Sequence, residues 1–194
     1  LGRLSIYDKM DLSPFFEIIS SLSQKDKNLK WIIAGSARYP DTLNLYKKLR
    51  TDFKLEENVI FFKNFDDETK LNLLASSDIF FSPSDNLQET FGVSIIEAMA
   101  SGLPILASDW SGYKDIILND KTGYLVPTIW GNCTDLINAN SSFMNINQLH
   151  LELAQSTAID LVACKKLLED LLTDEKKRKS FGDLARKRAF KDFS

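Results

Sequence analysis

Pro83-Ser84-Asp85-Asn86-Leu87-Gln88-Glu89-Thr90-Phe91-Gly92-Val93-Ser94-Ile95-Ile96-Glu97-Ala98-Met99-Ala100-Ser101-Gly102-Leu103-Pro104 is the stretch whose reading decides the fold. The chain passes here from strand to helix and back to strand, with Glu89 at the helix mouth and Glu97 one to two turns inside. The helix is predicted to begin near Phe91-Gly92-Val93 and to end at Ser101. Gly102 then supplies a left-handed C-terminal position before Leu103-Pro104 restarts a strand. The first amides of such a helix have no intrahelical partners, and its dipole adds about half a positive charge at that end. A phosphate or a sugar oxygen fits there, and Gly92 has no side chain to block the approach.

Outward from this block, short apolar runs recur at the spacing of alternating strands and helices. Strands are predicted near Leu1–Ser5, Trp31–Ala34, Val59–Phe62, Ile79–Ser82, Pro104–Ala107 and, more weakly, Gly123–Val126. Helical spacing covers Leu12–Leu22, with Pro14 in its first turn, then Thr42–Phe53 and Asp67–Ala75. Two further helices are predicted over Leu161–Leu172, capped by Asp160, and over Glu175–Phe190, capped by Asp174. The alternation argues for an α/β, Rossmann-like, three-layer domain. It has a parallel sheet of about six strands, helices on both faces and helices closing the chain.

The 194 residues suffice for one large domain or two small ones, and 44% hydrophobic content is enough for a core. A net charge of −3, with 27 acidic residues outnumbering 24 basic ones, argues against a nucleic-acid-binding surface. Cys133 and Cys164 are far apart and carry neither a zinc pattern nor a disulfide framework, which fits a reducing compartment. No apolar run approaches the roughly 18 residues of a membrane span, and there is no leader, so a soluble, cytoplasmic protein is expected. From the abrupt start at Leu1-Gly2-Arg3 and end at Phe193-Ser194, a piece of a longer protein is expected.

In open parallel sheets ligands bind at the carboxyl ends of the strands. Residues with chemistry follow the first five strands: Lys9, Gly35-Ser36-Ala37-Arg38, Lys63-Asn64, Ser84 to Glu89, and Ser108 to Gly112. A planar carboxylate at Glu97 matches the vicinal hydroxyls of a ribose. A lone glutamate on a helix is usually solvated. Here Ile95, Ile96, Ala98 and Met99 flank it, and a charge in a largely buried helix is costly unless paired. From Pro127 to about Ala158 the chain turns polar and asparagine-rich, and is read as a surface insertion with one short helix, anchored at Trp130. His150 there has no visible partner. The run Lys176-Lys177-Arg178-Lys179 is read as a solvated helix face.

The central block strongly resembles the motif of family-four retaining glycosyltransferases of the GT-B fold. That motif is a Glu, then Phe-Gly, then a second Glu followed by Ala-Met-Ala and Gly-x-Pro. It matches Glu89-Thr90-Phe91-Gly92 and Glu97-Ala98-Met99-Ala100-Ser101-Gly102-Leu103-Pro104. The likeness runs from Gly2-Arg3-Leu4 through Thr122-Gly123-Tyr124-Leu125-Val126 and resumes in the final helices. It implies a single donor-binding domain over residues 1–194, the C-terminal half of an enzyme whose N-terminal acceptor domain is absent. A hexose would pass from a nucleoside-diphosphate sugar to an acceptor hydroxyl with retention, and these residues alone would be inactive.

By the same resemblance Glu97 holds the ribose hydroxyls and Glu89 those of the transferred sugar. Thr90 and the amides of Phe91, Gly92 and Val93 meet the diphosphate and sugar, with Gly35, Lys63-Asn64 and Ser111 completing the donor site. Arg3 and Lys9 match the family's basic pair at the diphosphate: Arg forks two phosphate oxygens and Lys supplies a mobile charge for the leaving group. No Asp-x-Asp cluster is visible, so no metal and no cofactor are expected. Asn64 and Ser111 stand where the family usually has glycine, and Asn is the side chain next best suited to left-handed geometry. The base, the sugar and the acceptor (glycan, lipid or small molecule) stay open, as does a peripheral membrane contact of the full-length protein. Alternative readings are a nucleotide-sugar epimerase of the same architecture and a non-catalytic nucleotide-binding domain.

Overall fold

A computed structural model describes residues 1–6, 9–37, 40–85, 91–132, 135 and 141–193. Six parallel strands carry the fold: β1 (Gly2–Leu4), β2 (Trp31–Ala37), β3 (Val59–Phe62), β4 (Phe80–Ser82), β5 (Ile105–Ser108) and β6 (Gly123–Val126). They alternate with α1 (Phe15–Ser23), α2 (Pro40–Asp52), α3 (Asp67–Ala75), α4 (Val93–Ala100) and a single turn, α5 (Tyr113–Ile116). The strands pair as two parallel ladders, β1-β2-β3 and β4-β5-β6, where the sequence predicts one sheet. β1 is short and pairs only with the far end of β2, Arg3 opposite Ser36. A cavity of about 530 Å³ lined by Leu1, Trp31, Ile32, Ala34, Phe80 and Phe81 therefore lies between the ladders at their amino-terminal edge.

The two faces of the sheet bury separate cores because successive strand residues point to opposite sides. Leu106 joins the cluster built on Phe15, Phe16, Ile19, Tyr46, Leu168 and Leu171. Its neighbours Ile105 and Ala107 join Ile95, Ala98, Met99, Tyr113 and Ala185 on the other face. Phe16 is fully buried and meets Trp31 edge-on at 5.0 Å. Burial of that size is worth about 2–3 kcal/mol. Cys164 is buried too, and burial pushes its thiol up to about 12, so it packs as an apolar side chain.

The caps read from sequence are present: Asp160 and Asp174 accept from the backbone N–H of Ala163 and Lys177 at the starts of α7 (Leu161–Thr173) and α8 (Glu175–Asp192), and Asp66 caps α3 in the same way through the Thr69 amide. α1 starts three residues later than its apolar spacing implies, because the Leu12 N–H is held by the Tyr46 hydroxyl at 3.1 Å and that of Ser13 by Asp11 Oδ1 at 2.8 Å. Tyr46 in turn donates to the Met10 carbonyl, so α2 pins the loop that carries Lys9. Tyr46→Phe would strand the Leu12 amide. We expect a loss of about 1–3 kcal/mol in urea unfolding, and an unchanged midpoint would show that water replaces the hydroxyl.

The insertion is more structured than its composition implies. β7 (Thr128–Trp130) and β8 (Thr157–Ile159) pair antiparallel and close it at the base, with α6 (Ile146–Gln155) between them. Trp130 meets Trp110 edge-on at 6.1 Å, which supplies the expected anchor. The basic run is only partly a solvated face: Lys177 pairs with Asp170, and Arg178 Nη1 donates to the last carbonyls of α7, Leu171 and Leu172. Among the described residues no helix is long and apolar enough to cross a membrane.

Candidate functional site

Within each ladder the strands run parallel, so their carboxyl ends share one edge, and side-chain bonds lace loops of the two ladders together there. Ser84, fully buried after β4, donates from Oγ to the Lys9 carbonyl at 3.2 Å. Its own carbonyl accepts from Ser108 Oγ at the end of β5. The loops after β1, β4 and β5 are thus one unit, which sets Lys9 beside the root of the segment that leads to Glu89. Glu89 and Thr90 themselves lie outside the described residues.

The start of α4 is built by close packing. Gly92, its N-cap, takes the left-handed conformation (φ 58°, ψ 51°), and its carbonyl accepts from the Ile95 amide at 2.8 Å. A Cβ at Gly92 would come within 2.9 Å of the Tyr113 ring. Tyr113 is itself fixed by a 2.8 Å bond between its hydroxyl and Ser82 Oγ, and burial pushes that phenol up from its ordinary value. On either side of Gly92, Phe91 and Val93 are 56% and 59% exposed, so this helix mouth opens outward. Phe91 rests edge-on against Phe193 from the end of α8.

Glu97 sits differently from its sequence neighbours. Ile95, Ala98 and Met99 face the core, while the Glu97 side chain is 36% exposed. At about 100° per residue the buried stripe passes it by, so flanking apolar residues in sequence are not its neighbours in space. Its Oε1 accepts from Lys70 Nζ of α3 at 2.9 Å. Nothing local in the sequence signals that pairing across 27 positions, and the same holds for Tyr113 beneath Gly92.

The remaining expected residues divide. Arg3 is exposed on β1, level with the end of β2. Lys63 and Asn64 are exposed past β3, and Asn64 has the left-handed φ of 49° that a glycine substitute needs. Ser111 likewise takes φ 45° after β5. Gly35 has a packing reason of its own: it is buried in the β1-β2 ladder, where a Cβ would fall 1.8 Å from the Gly2 carbonyl oxygen. Asp85, within the Ser84-to-Glu89 stretch but given no role of its own by the sequence, lines a hollow of about 450 Å³ with Ile6, Asp11, Gln155 and Thr157, where the insertion meets the loops after β1 and β4. Among the described residues no cluster of His, Cys, Asp and Glu is suited to a metal ion.

A match to the family described as "Glycosyl transferases group 1" covers residues 2–158. The chain belongs to that family. Its fold is the Rossmann-like α/β fold of GT-B enzymes. Against the phosphatidyl-myo-inositol mannosyltransferase of Mycobacterium leprae it is 34% identical over 73 residues, 38% of this chain and 19% of that protein. It thus spans about a fifth of that relative's length. Among solved structures, the C-terminal domain of a glycosyl transferase group 1 family protein (LpcC) from Francisella tularensis superposes with a TM-score of 0.70 at 21% identity. That alignment covers 100% of this chain and 84% of the other. HepE from Anabaena, crystallised with UDP and glucose, gives 0.66 at 21% identity over 100% of this chain and 44% of HepE.

Proposed function

We propose that this group 1 glycosyltransferase chain is the donor-binding part of a retaining hexosyltransferase that takes its sugar from a nucleoside diphosphate. The observation that carries this reading is the outward-opening start of α4, left-handed at Gly92, on the same helix as a half-exposed Glu97 and at the strand edge that holds Lys9. In this reading the amides at the start of α4, with Arg3 and Lys9, stabilise the charge that grows on the diphosphate as it leaves. Glu97 accepts from the ribose hydroxyls, Lys63-Asn64 and Gly35 border the base, and Glu89, Thr90 and Ser111 face the transferred sugar. The bond from the anomeric carbon to the diphosphate oxygen breaks, a bond to the acceptor oxygen forms, and the hydroxyl proton leaves toward the phosphate. The UDP and glucose held by HepE support a nucleoside-diphosphate sugar as the donor.

The acceptor site is proposed to lie outside these residues, in keeping with the small share of its relatives that the chain spans. Calorimetric titration with UDP and GDP tests the donor half. We expect saturable binding of at least one of them, undiminished by a metal chelator, and no sugar transfer by the chain alone. Failure of both nucleotides to bind would overturn the assignment.

A further inference from the structure

The Lys70–Glu97 pair joins α3 to α4, the helices that follow β3 and β4. Lys70 Nζ lies 2.9 Å from Glu97 Oε1 and 3.2 Å from Asp67 Oδ1, one turn earlier on its own helix. Its side chain as a whole is 26% exposed. Its hydrogen bonds to Glu97 and then to Asp67 hold it above its ordinary value, and it stays charged wherever the protein is folded near neutral pH. An ammonium has three donors and these carboxylates take two; a carboxylate has two oxygens and Lys70 takes one.

We propose that Lys70 is a positioning residue that presents Glu97 to a ribose and so makes the site prefer ribonucleotides over deoxyribonucleotides. The proposal rests on the donor-binding reading above and extends it to a residue outside the family motif. Anchored through Oε1, the carboxylate is held in one orientation and keeps Oε2 for a ligand hydroxyl. A hydroxyl that donates to Oε2 can accept from the remaining Lys70 proton, so one diol engages both groups. Loss of a single hydroxyl leaves a carboxylate oxygen and an ammonium proton unmatched at the same moment, which is how a site built around a hydroxyl rejects the analogue that lacks it.

The test titrates UDP and GDP beside their 2′-deoxy forms into the chain, and into its Lys70→Met and Lys70→Arg variants, with Glu97→Gln as reference. We expect the unaltered chain to favour the ribonucleotide about tenfold or more. Lys70→Met should reduce the preference to about twofold while barely changing the deoxy affinity, and Lys70→Arg should keep most of it. Equal weakening of both forms by Lys70→Met would mark a merely structural lysine, and an intact preference would mark no role; either overturns the proposal. Equal binding of ribo and deoxy forms by the unaltered chain overturns it while leaving the donor reading in place. Failure of every nucleotide to bind overturns both.

Discussion

Tyr113→Ala is expected to cost about 3–5 kcal/mol in denaturant unfolding, as truncation of a buried aromatic does. The ring is 1% exposed, sits in the core with Ile95, Met99 and Ile105, and forms the floor beneath Gly92. Its removal leaves a cavity under the N-cap of α4 and frees the Ser82 hydroxyl at the end of β4. The loss should reach ligand binding as well as stability, because the Tyr113 ring packs directly beneath Gly92 at the helix mouth. Tyr113→Phe separates the two contributions: it keeps the floor, loses one hydrogen bond, and should cost about 1–2 kcal/mol. Equal destabilisation by both variants would refute the packing account.

Asp85→Asn is expected to stabilise the protein by about 2–3 kcal/mol at pH 7 and by next to nothing at about pH 3. Burial raises the Asp85 carboxyl from an ordinary 3.8 to about 6, and the nearby Asp11 charge pushes the same way, while the Asp11 and Asp85 amides oppose it. Well below 3.8, at about pH 3 and under, both folded and unfolded chains carry the proton, and no penalty arises. Between pH 4 and 6 the folded chain still holds the proton that the unfolded chain has released, so stability falls as pH rises and levels off above 6. A gap of about two pH units corresponds to about 3 kcal/mol. The amide keeps the shape and the acceptor while removing the charge. Urea unfolding at the two pH values reads the difference, and a variant no more stable than the parent at pH 7 would show that the charged carboxylate is solvated. The Asp85 charge at the root of the segment that leads to Glu89 thus lowers stability at neutral pH.

Most of the architecture was legible because it is written locally. Short continuous apolar runs such as Trp31-Ile32-Ile33-Ala34 and capped helical stretches such as Asp160 with Leu161–Thr173 declare themselves within a few residues. The left-handed Asn64 was readable for the same reason, since a single residue's own sterics limit its backbone. The insertion was not, because β7 and β8 are three residues each and owe their existence to one another across the intervening segment. Glu97 was misjudged in its surroundings though not in its promise: its neighbours in sequence are apolar, but the helix turns it away from them toward Lys70.

By itself the amino-acid sequence determined the order of strands and helices, the polar edge where the strands end, and the motif that marks the family. Each depends on interactions within one element or on residue types at fixed spacing. Only the tertiary structure decided that Tyr113 would floor Gly92, that Ser84 would tie three loops into one unit, and that Lys70 would hold Glu97. Those contacts depend on how packed elements aim side chains at one another across 20 or more intervening residues, a distance over which periodicity carries no information.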